Sequence, residues 1–198
     1  MRQIVAQRLI ETGDLEGAIK AYREAIKIEP QLPGLRFELA EALLKRRSNT
    51  AANLKEAQSL LEEALHEDPS DSESECLLGE VYARCSDLKL ALRHFSRALA
   101  LQPNNVDAHM GLGTIHASSG QLQNALAELT KAVSLDPTNA KAHYSLALVY
   151  RRLGRMSDAD RETNLFNDLN SSHDRLGGIF AQTRTRGRYT VKTAQAHH

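Results

Sequence analysis

Tryptophan is absent, and aromatic residues make up only 5% of the 198 residues. The apolar positions are instead mostly leucine and alanine, which favours close-packed helices over a core filled with large rings. No strand-like alternation of apolar and polar residues lasts more than a few positions, so a sheet protein is excluded. No run of about 18 apolar residues exists, so no membrane span is expected. Met1–Leu9 carries two arginines and no apolar stretch, so no signal peptide is expected. The two cysteines, Cys76 and Cys85, are nine residues apart on one helical pattern. At a rise of about 1.5 Å per residue they are too far apart to bridge. A chain that demands no disulfide is expected in the cytoplasm by default. It would be periplasmic or secreted if it were a piece of a longer exported protein.

Catalytic signatures are missing as well. There is no G-x-x-x-x-G-K-[ST] loop, no Cys-x-x-Cys pair, no H-E-x-x-H and no nucleophile elbow. The acidic residues scatter along helical patterns. No enzymatic function and no cofactor are expected.

Proline is scarce too, but its placement is regular. Pro69, Pro103 and Pro137 are spaced 34 residues apart, and each follows an alanine by five positions: Ala64, Ala98 and Ala132. A fixed period of this length means stacked copies of one supersecondary unit. Each period holds two helical patterns. In the third, Ser72 and Glu75 form a capping-box signature. Leu78-Gly79 and Val81-Tyr82 follow, then a polar turn at Ser86-Asp87. Ala91, Phe95, Ala98 and Leu99 form the apolar face of the second helix. Pro103 stops that helix and Asn105 can cap the next. The fourth period repeats the design with Leu112-Gly113, His116, Gly120, Ala125, Leu129, Ala132 and Pro137. The fifth has Leu146-Ala147, Tyr150, Gly154 and Ala159.

The small-residue pair, the aromatic, the glycine at the turn and A-x3-[FY]-x2-A-x4-P resemble the tetratricopeptide repeat. The resemblance covers about residues 1–170. It implies an all-α, right-handed α-solenoid of about five helix-turn-helix repeats, near 1–32, 33–71, 72–105, 106–139 and 140–170. The first repeat has Ala6, Leu9 and Gly13, then Ala18, Tyr22, Ala25 and Pro30. The second has Leu39-Ala40, Leu43, Ala57, Leu61 and Ala64. Pro30 and Pro69 are 39 residues apart, five more than the period. The surplus falls at Arg46–Asn53, between the paired helices, where Asn53 can cap the next helix; an insertion there only lengthens a surface loop. In the fifth repeat Phe166 replaces the close-packing alanine and Thr163 the aromatic, which marks the end of the array. Leu165, Phe166 and Leu169 then need a cover.

In the family, the first helix of each pair lines a concave groove that accepts peptides. Carried over by repeat phase, that face holds Phe37 and Glu41; Glu73, Cys76 and Glu80; Asp107, Met110 and Thr114; Lys141, Tyr144, Leu148 and Arg151. The implied function is a protein-interaction scaffold that binds a peptide or partner segment. The groove would be acidic early and basic late, a gradient able to orient a charged peptide. Ordinary solvated helix faces are the competing reading; Phe37, Met110 and Tyr144 tilt against it. Members that clamp a C-terminal carboxylate use lysine and asparagine on successive first helices. The corresponding places here hold Gln, Phe, Glu and Leu, so a chaperone tail is not an expected partner. The asparagine ladder of sugar-transferase superhelices is also missing.

His109, His116 and His143 could together hold Zn²⁺. The repeat phase puts them at packing sites between helices, so hydrogen-bonded packing histidines are expected and no metal. The segment 171–198 breaks the period and is expected to be a capping segment with a flexible basic tail. Leu176, Ile179 and Phe180 can form a short covering helix, which Gly177 and Gly178 weaken by roughly 1 kcal/mol each. Net charge is zero, but 171–198 holds five Lys/Arg and one acid, leaving 20 basic and 24 acidic residues before it. Basic residues in such a tail can touch nucleic acid or anionic lipid; a flexible end with no nucleic-acid partner is the expectation. Docking of Ile179 and Phe180 on another subunit would make a homo-oligomer. The second functional reading is accordingly an assembly module of a larger envelope or secretion complex, acting through its terminal helices.

Overall fold

A computed structural model describes residues 2–11, 13–46 and 50–171. Those residues form helices and turns with no strand. The helices are α1 (Arg2–Glu11), α2 (Leu15–Ile28), α3 (Leu35–Leu44), α4 (Ala51–Glu67), α5 (Ser72–Arg84), α6 (Leu88–Leu101), α7 (Val106–Ser118), α8 (Leu122–Leu135) and α9 (Ala140–Arg152). A further helix, α10, occupies 156–171. Each odd-numbered helix from α1 to α7 packs on the even-numbered helix after it, and each pair packs on the next; α9 meets α10 through His143 and Glu162. The described residues form an α-solenoid of five helix pairs. The proposed capping helix and basic tail lie outside the described residues.

The second helices show why this sequence stacks. On α6 the buried residues are Ala91, His94, Phe95 and Ala98; on α8 they are Ala125, Leu129 and Ala132. These spacings give one apolar stripe, and the alanines let the first helices approach. The Phe95 ring uses that space. A Cβ added to Gly79 would lie 2.9 Å from the ring, and one added to Gly111 only 2.4 Å from it. Phe95 therefore fills a slot between α5 and α7 that two glycines leave open. Three apolar clusters run along the stack, and Tyr82 packs against both the first and the second.

The turns inside the first, third, fourth and fifth pairs each place one residue in the left-handed region. Gly13, Gly120 and Gly154 supply it at φ +83, +78 and +75. In the third pair Ser86 takes the same role at φ 64, where an L side chain is strained.

Two capping expectations are corrected. Asp71, not Ser72, caps α5: its carboxylate accepts from Glu73 N at 3.0 Å. Ser72 is already helical, and its hydroxyl donates to Ala98 O at 3.1 Å. The Glu75 carboxylate is turned inward and cannot reach back to the cap. Similarly, Thr50 caps α4 by accepting from Asn53 N at 3.2 Å, while Asn53 sits buried inside the helix. In both places a better-placed oxygen lies upstream of the residue singled out. Asn105 caps α7 as expected, accepting from Ala108 N at 2.9 Å.

Glu75 is held by a device that repeats along the stack. His109 Nδ1 lies 2.7 Å from Glu128 of α8, and His143 Nδ1 lies 2.6 Å from Glu162 of α10. The other ring nitrogens lie 3.1 Å from Pro103 O and 2.9 Å from Pro137 O. A carbonyl can only accept, so each Nε2 carries a hydrogen, and one more proton sits between Nδ1 and the carboxylate. In the third pair the polarity is reversed. Glu75 is on the first helix and His94 on the second, at 2.7 Å. All three pairs share a separation of 19 residues. Glu75 cannot donate to the proline carbonyl. Arg97 does so instead, reaching Pro69 O at 3.3 Å while its Nε lies 2.6 Å from Glu75. Arg36 serves the remaining junction, donating to Pro30 O at 2.7 Å and pairing with Glu63 at 3.0 Å. At all four junctions an exposed helix end thus meets an N–H donor from a basic side chain, as its dipole favours. His116 is only part-buried and meets Gln121 at 2.7 Å. Among the described residues no group of three His, Cys, Asp or Glu is arranged to hold a metal.

Candidate functional site

The first helices α3, α5 and α7 line a cleft of about 1090 Å³. Nine of the twelve residues assigned by repeat phase border it: Phe37, Glu41, Glu73, Cys76, Glu80, Asp107, Met110, Thr114 and Lys141. Equivalent positions recur on successive helices because each pair repeats the same rotation, so Phe37, Cys76 and Met110 form one row.

The remaining three, Tyr144, Leu148 and Arg151, are on α9 outside the cleft. Tyr144 leans on Phe166 of α10, with ring centroids 5.2 Å apart. Arg151 donates to the Thr163 hydroxyl at 3.1 Å. Both side chains turn towards α10. Tyr144 is 47% exposed, and Leu148 and Leu165 are each 40% exposed.

Within the cleft the roles differ by depth. Cys76 is only 7% exposed and forms part of the floor beside Phe95 and Gly111. Burial pushes its thiol up to about 12, and the charges of Asp107, Glu80 and Glu73 add to the shift. It is a neutral, inert floor residue, not a nucleophile. Thr114 spends its hydroxyl on Met110 O at 2.9 Å, which leaves its oxygen lone pairs for a ligand. The rim is acidic. Glu41 is paired with Lys45 at 2.9 Å, and Glu80 with Arg84. Arg84 also donates to Leu44 O at 2.9 Å, tying α5 to the end of α3. Among the described residues, Glu73 and Asp107 are in no ion pair within 4 Å. Burial raises the Asp107 carboxyl above its ordinary value; Glu80 adds to this and Lys141 opposes it. The acidic residues are therefore close enough to repel one another, and Lys141 only partly offsets them.

Phase counting missed Lys45, Leu77, Arg84 and Val106, which also border the cleft. Lys45 and Arg84 occupy equivalent positions of successive repeats, so the same phase carried further along the first helix would have found them.

A family model described as TPR repeat matches residues 6–46 and 113–154, and one described as tetratricopeptide repeat matches residues 51–104. The chain belongs to the tetratricopeptide repeat family. Solved structures of this family share the TPR fold. TTC0263, a thermophilic TPR protein of Thermus thermophilus, superposes with a TM-score of 0.73 at 21% identity, over 91% of this chain and 96% of that one. MamA from Desulfovibrio magneticus RS-1 gives 0.66 at 23% identity, over 87% and 95%. YrrB, a TPR protein with an unusual peptide-binding site, gives 0.57 at 22% identity, over 92% and 90%. No curated protein matches the chain by sequence. No helix among the described residues is long and apolar enough to cross a membrane.

Proposed function

We propose that this TPR array is a non-catalytic scaffold that takes a peptide or partner-protein segment into the groove of α3, α5 and α7. The observation that carries the reading is the cleft itself. It has an apolar floor with Cys76, Phe95 and Met110, and a rim where Glu73 and Asp107 have no ion-pair partner among the described residues. A floor that excludes water and a rim of convergent charges suit a segment with apolar and charged side chains. The MamA and YrrB likenesses support an interaction role for the fold and do not name a partner. The test is a random-peptide selection on the full chain, repeated on Glu80→Ala and on Met110→Ala. Selected peptides should lose at least tenfold in affinity on both variants. Undiminished binding to both sinks the groove reading.

A second reading has its own support. Tyr144, Leu148, Leu165 and Phe166 make an apolar patch at the last helix pair. An array that assembles through its end would use it. Under that reading Tyr144→Ser combined with Leu165→Ser lowers the mass measured by light scattering. An unchanged mass removes the assembly reading.

A further inference from the structure

We propose that the groove of α3, α5 and α7 is built for a basic ligand: an extended protein segment of about seven residues in which arginine or lysine is mixed with apolar side chains. The inference rests on the groove reading above and names the class of segment that it takes.

Its first support is the order of the rows. Phe37, Cys76 and Met110 run along the floor. Glu73 and Asp107 precede Cys76 and Met110 by three residues, and Glu41 and Glu80 follow Phe37 and Cys76 by four. One apolar row thus lies between two acidic rows, and Glu73 and Glu80 are about 10 Å apart along α5. Helix stability accounts for only one of these rows. The macrodipole favours Glu73 and Asp107 in the first turns of α5 and α7, but it disfavours Glu41 and Glu80 towards the C-terminal ends of α3 and α5.

The second support is charge that the groove leaves uncompensated. Lys45 and Arg84 are already bound to Glu41 and Glu80. Glu73 and Asp107 have no ion-pair partner among the described residues. Glu73, Glu80 and Asp107 converge on one point of the floor, since the charge of each acts on the Cys76 thiol. Asp107 in turn feels Glu80, and Lys141 only partly offsets it. A cation set above Cys76 faces three carboxylates at once and relieves their mutual repulsion; an anion there would be repelled by all three. Arginine suits this place because its fork bonds carboxylates in pairs.

The third support is fit. An arginine or lysine can lay its apolar stem on Cys76 and Met110 while its charged head turns up to the rim. Successive first helices touch, α3 on α5 and α5 on α7. Packed helices are about 10 Å apart and an extended chain advances about 3.3 Å per residue, so about seven residues cross the three helices. The rows change sign and polarity at α9, where Lys141 continues the row of Glu73 and Asp107, and Leu148 that of Glu41 and Glu80. The basic part of the ligand therefore lies over α5 and α7.

The experiment titrates the full chain by fluorescence anisotropy with three labelled heptapeptides. One alternates arginine and leucine, one glutamate and leucine, and one arginine and serine. Two variants are compared with the wild type: Glu73→Gln with Asp107→Asn in the groove, and Glu29→Gln with Asp160→Asn, which removes the same charge at exposed positions elsewhere. Circular dichroism checks that both stay helical. The arginine–leucine peptide should bind the wild type about tenfold more tightly than either other peptide. It should lose about tenfold on the groove variant and nothing on the control, and its advantage should shrink as salt rises. The comparison of peptides on the wild type, with its salt dependence, stands even where a variant unfolds. Equal binding of the arginine–leucine and glutamate–leucine peptides overturns the proposal. So does undiminished binding to the groove variant, or an equal loss on both variants, which assigns the attraction to net charge alone. An arginine–serine peptide that binds as tightly as arginine–leucine removes the apolar half of the ligand and overturns it too. Absence of arginine–leucine binding also overturns it; if peptides from the random selection then lose affinity on Met110→Ala, the groove reading survives with a ligand of another class.

Discussion

The reversed pair in the third repeat makes a sharp test of how the stack is held. Exchanging the two residues, Glu75→His with His94→Glu, gives this pair the polarity of His109–Glu128 and His143–Glu162. Each single change should be costly. Glu75→His places two imidazoles together, and His94→Glu places two carboxylates together, at sites where the side chains are 6% and 9% exposed. Breaking a buried pair costs about 3–5 kcal/mol. Arg97 also contacts Glu75, but its side chain is 55% exposed and can turn to water, which puts Glu75→His at the lower end, about 3 kcal/mol. The double exchange should recover most of this. The imidazole introduced on α5 would then turn its Nε2 to the carbonyl of Pro69, as His109 faces that of Pro103, and Arg97 would be released. The double variant is expected within about 1 kcal/mol of the wild type, giving a coupling energy above about 3 kcal/mol from the cycle. Urea unfolding followed by circular dichroism at 222 nm measures all four chains. If the double variant loses as much as the two singles added together, the pairs are not interchangeable and the reasoning fails. If each single costs under about 0.5 kcal/mol, the pairs do not hold the stack at all.

Two further outcomes follow from named positions. Ser86→Gly removes the strain of a side chain at φ 64 and should stabilise the array by about 0.5–1 kcal/mol; a loss of stability would mean that the side chain contributes more than its backbone costs. Asp107→Asn should raise the unfolding temperature at pH 7. The folded carboxyl is held above its ordinary value, chiefly by burial and then by Glu80, so its ionised form is penalised in the fold. Both states are ionised at neutral pH and the penalty is complete; below about pH 3 both are protonated and it vanishes. Thermal melts of the variant and the wild type should therefore differ at neutral pH and converge in acid, and a difference that persists in acid contradicts the electrostatic account.

The stack was legible because its determinants are periodic. Gly79, Ala91, Ala98 and Pro103 recur at fixed intervals since each repeat must solve the same close-packing problem, and that constraint leaves a motif. The cap of α5 was not legible locally: Asp71 and Ser72 are both good capping residues, and the direction of the Glu75 side chain separates them. That direction is set by His94, which is 19 residues away and on another helix. The same nonlocal logic hid the pairing of His109 and His143, whose packing role was visible but whose glutamate partners were not. A pattern search asks for one residue type at one position. Here the position before each junction is Arg36, Glu75, His109 and His143 in turn, and what stays constant is a donor on the proline carbonyl, supplied from either helix of the pair. The groove lies at the opposite extreme. Its first-helix rows change from Phe37 to Cys76 to Met110, because neighbouring repeats need not present the same surface to a ligand. Period therefore locates the row, and only the chemistry of each side chain distinguishes what the row can bind.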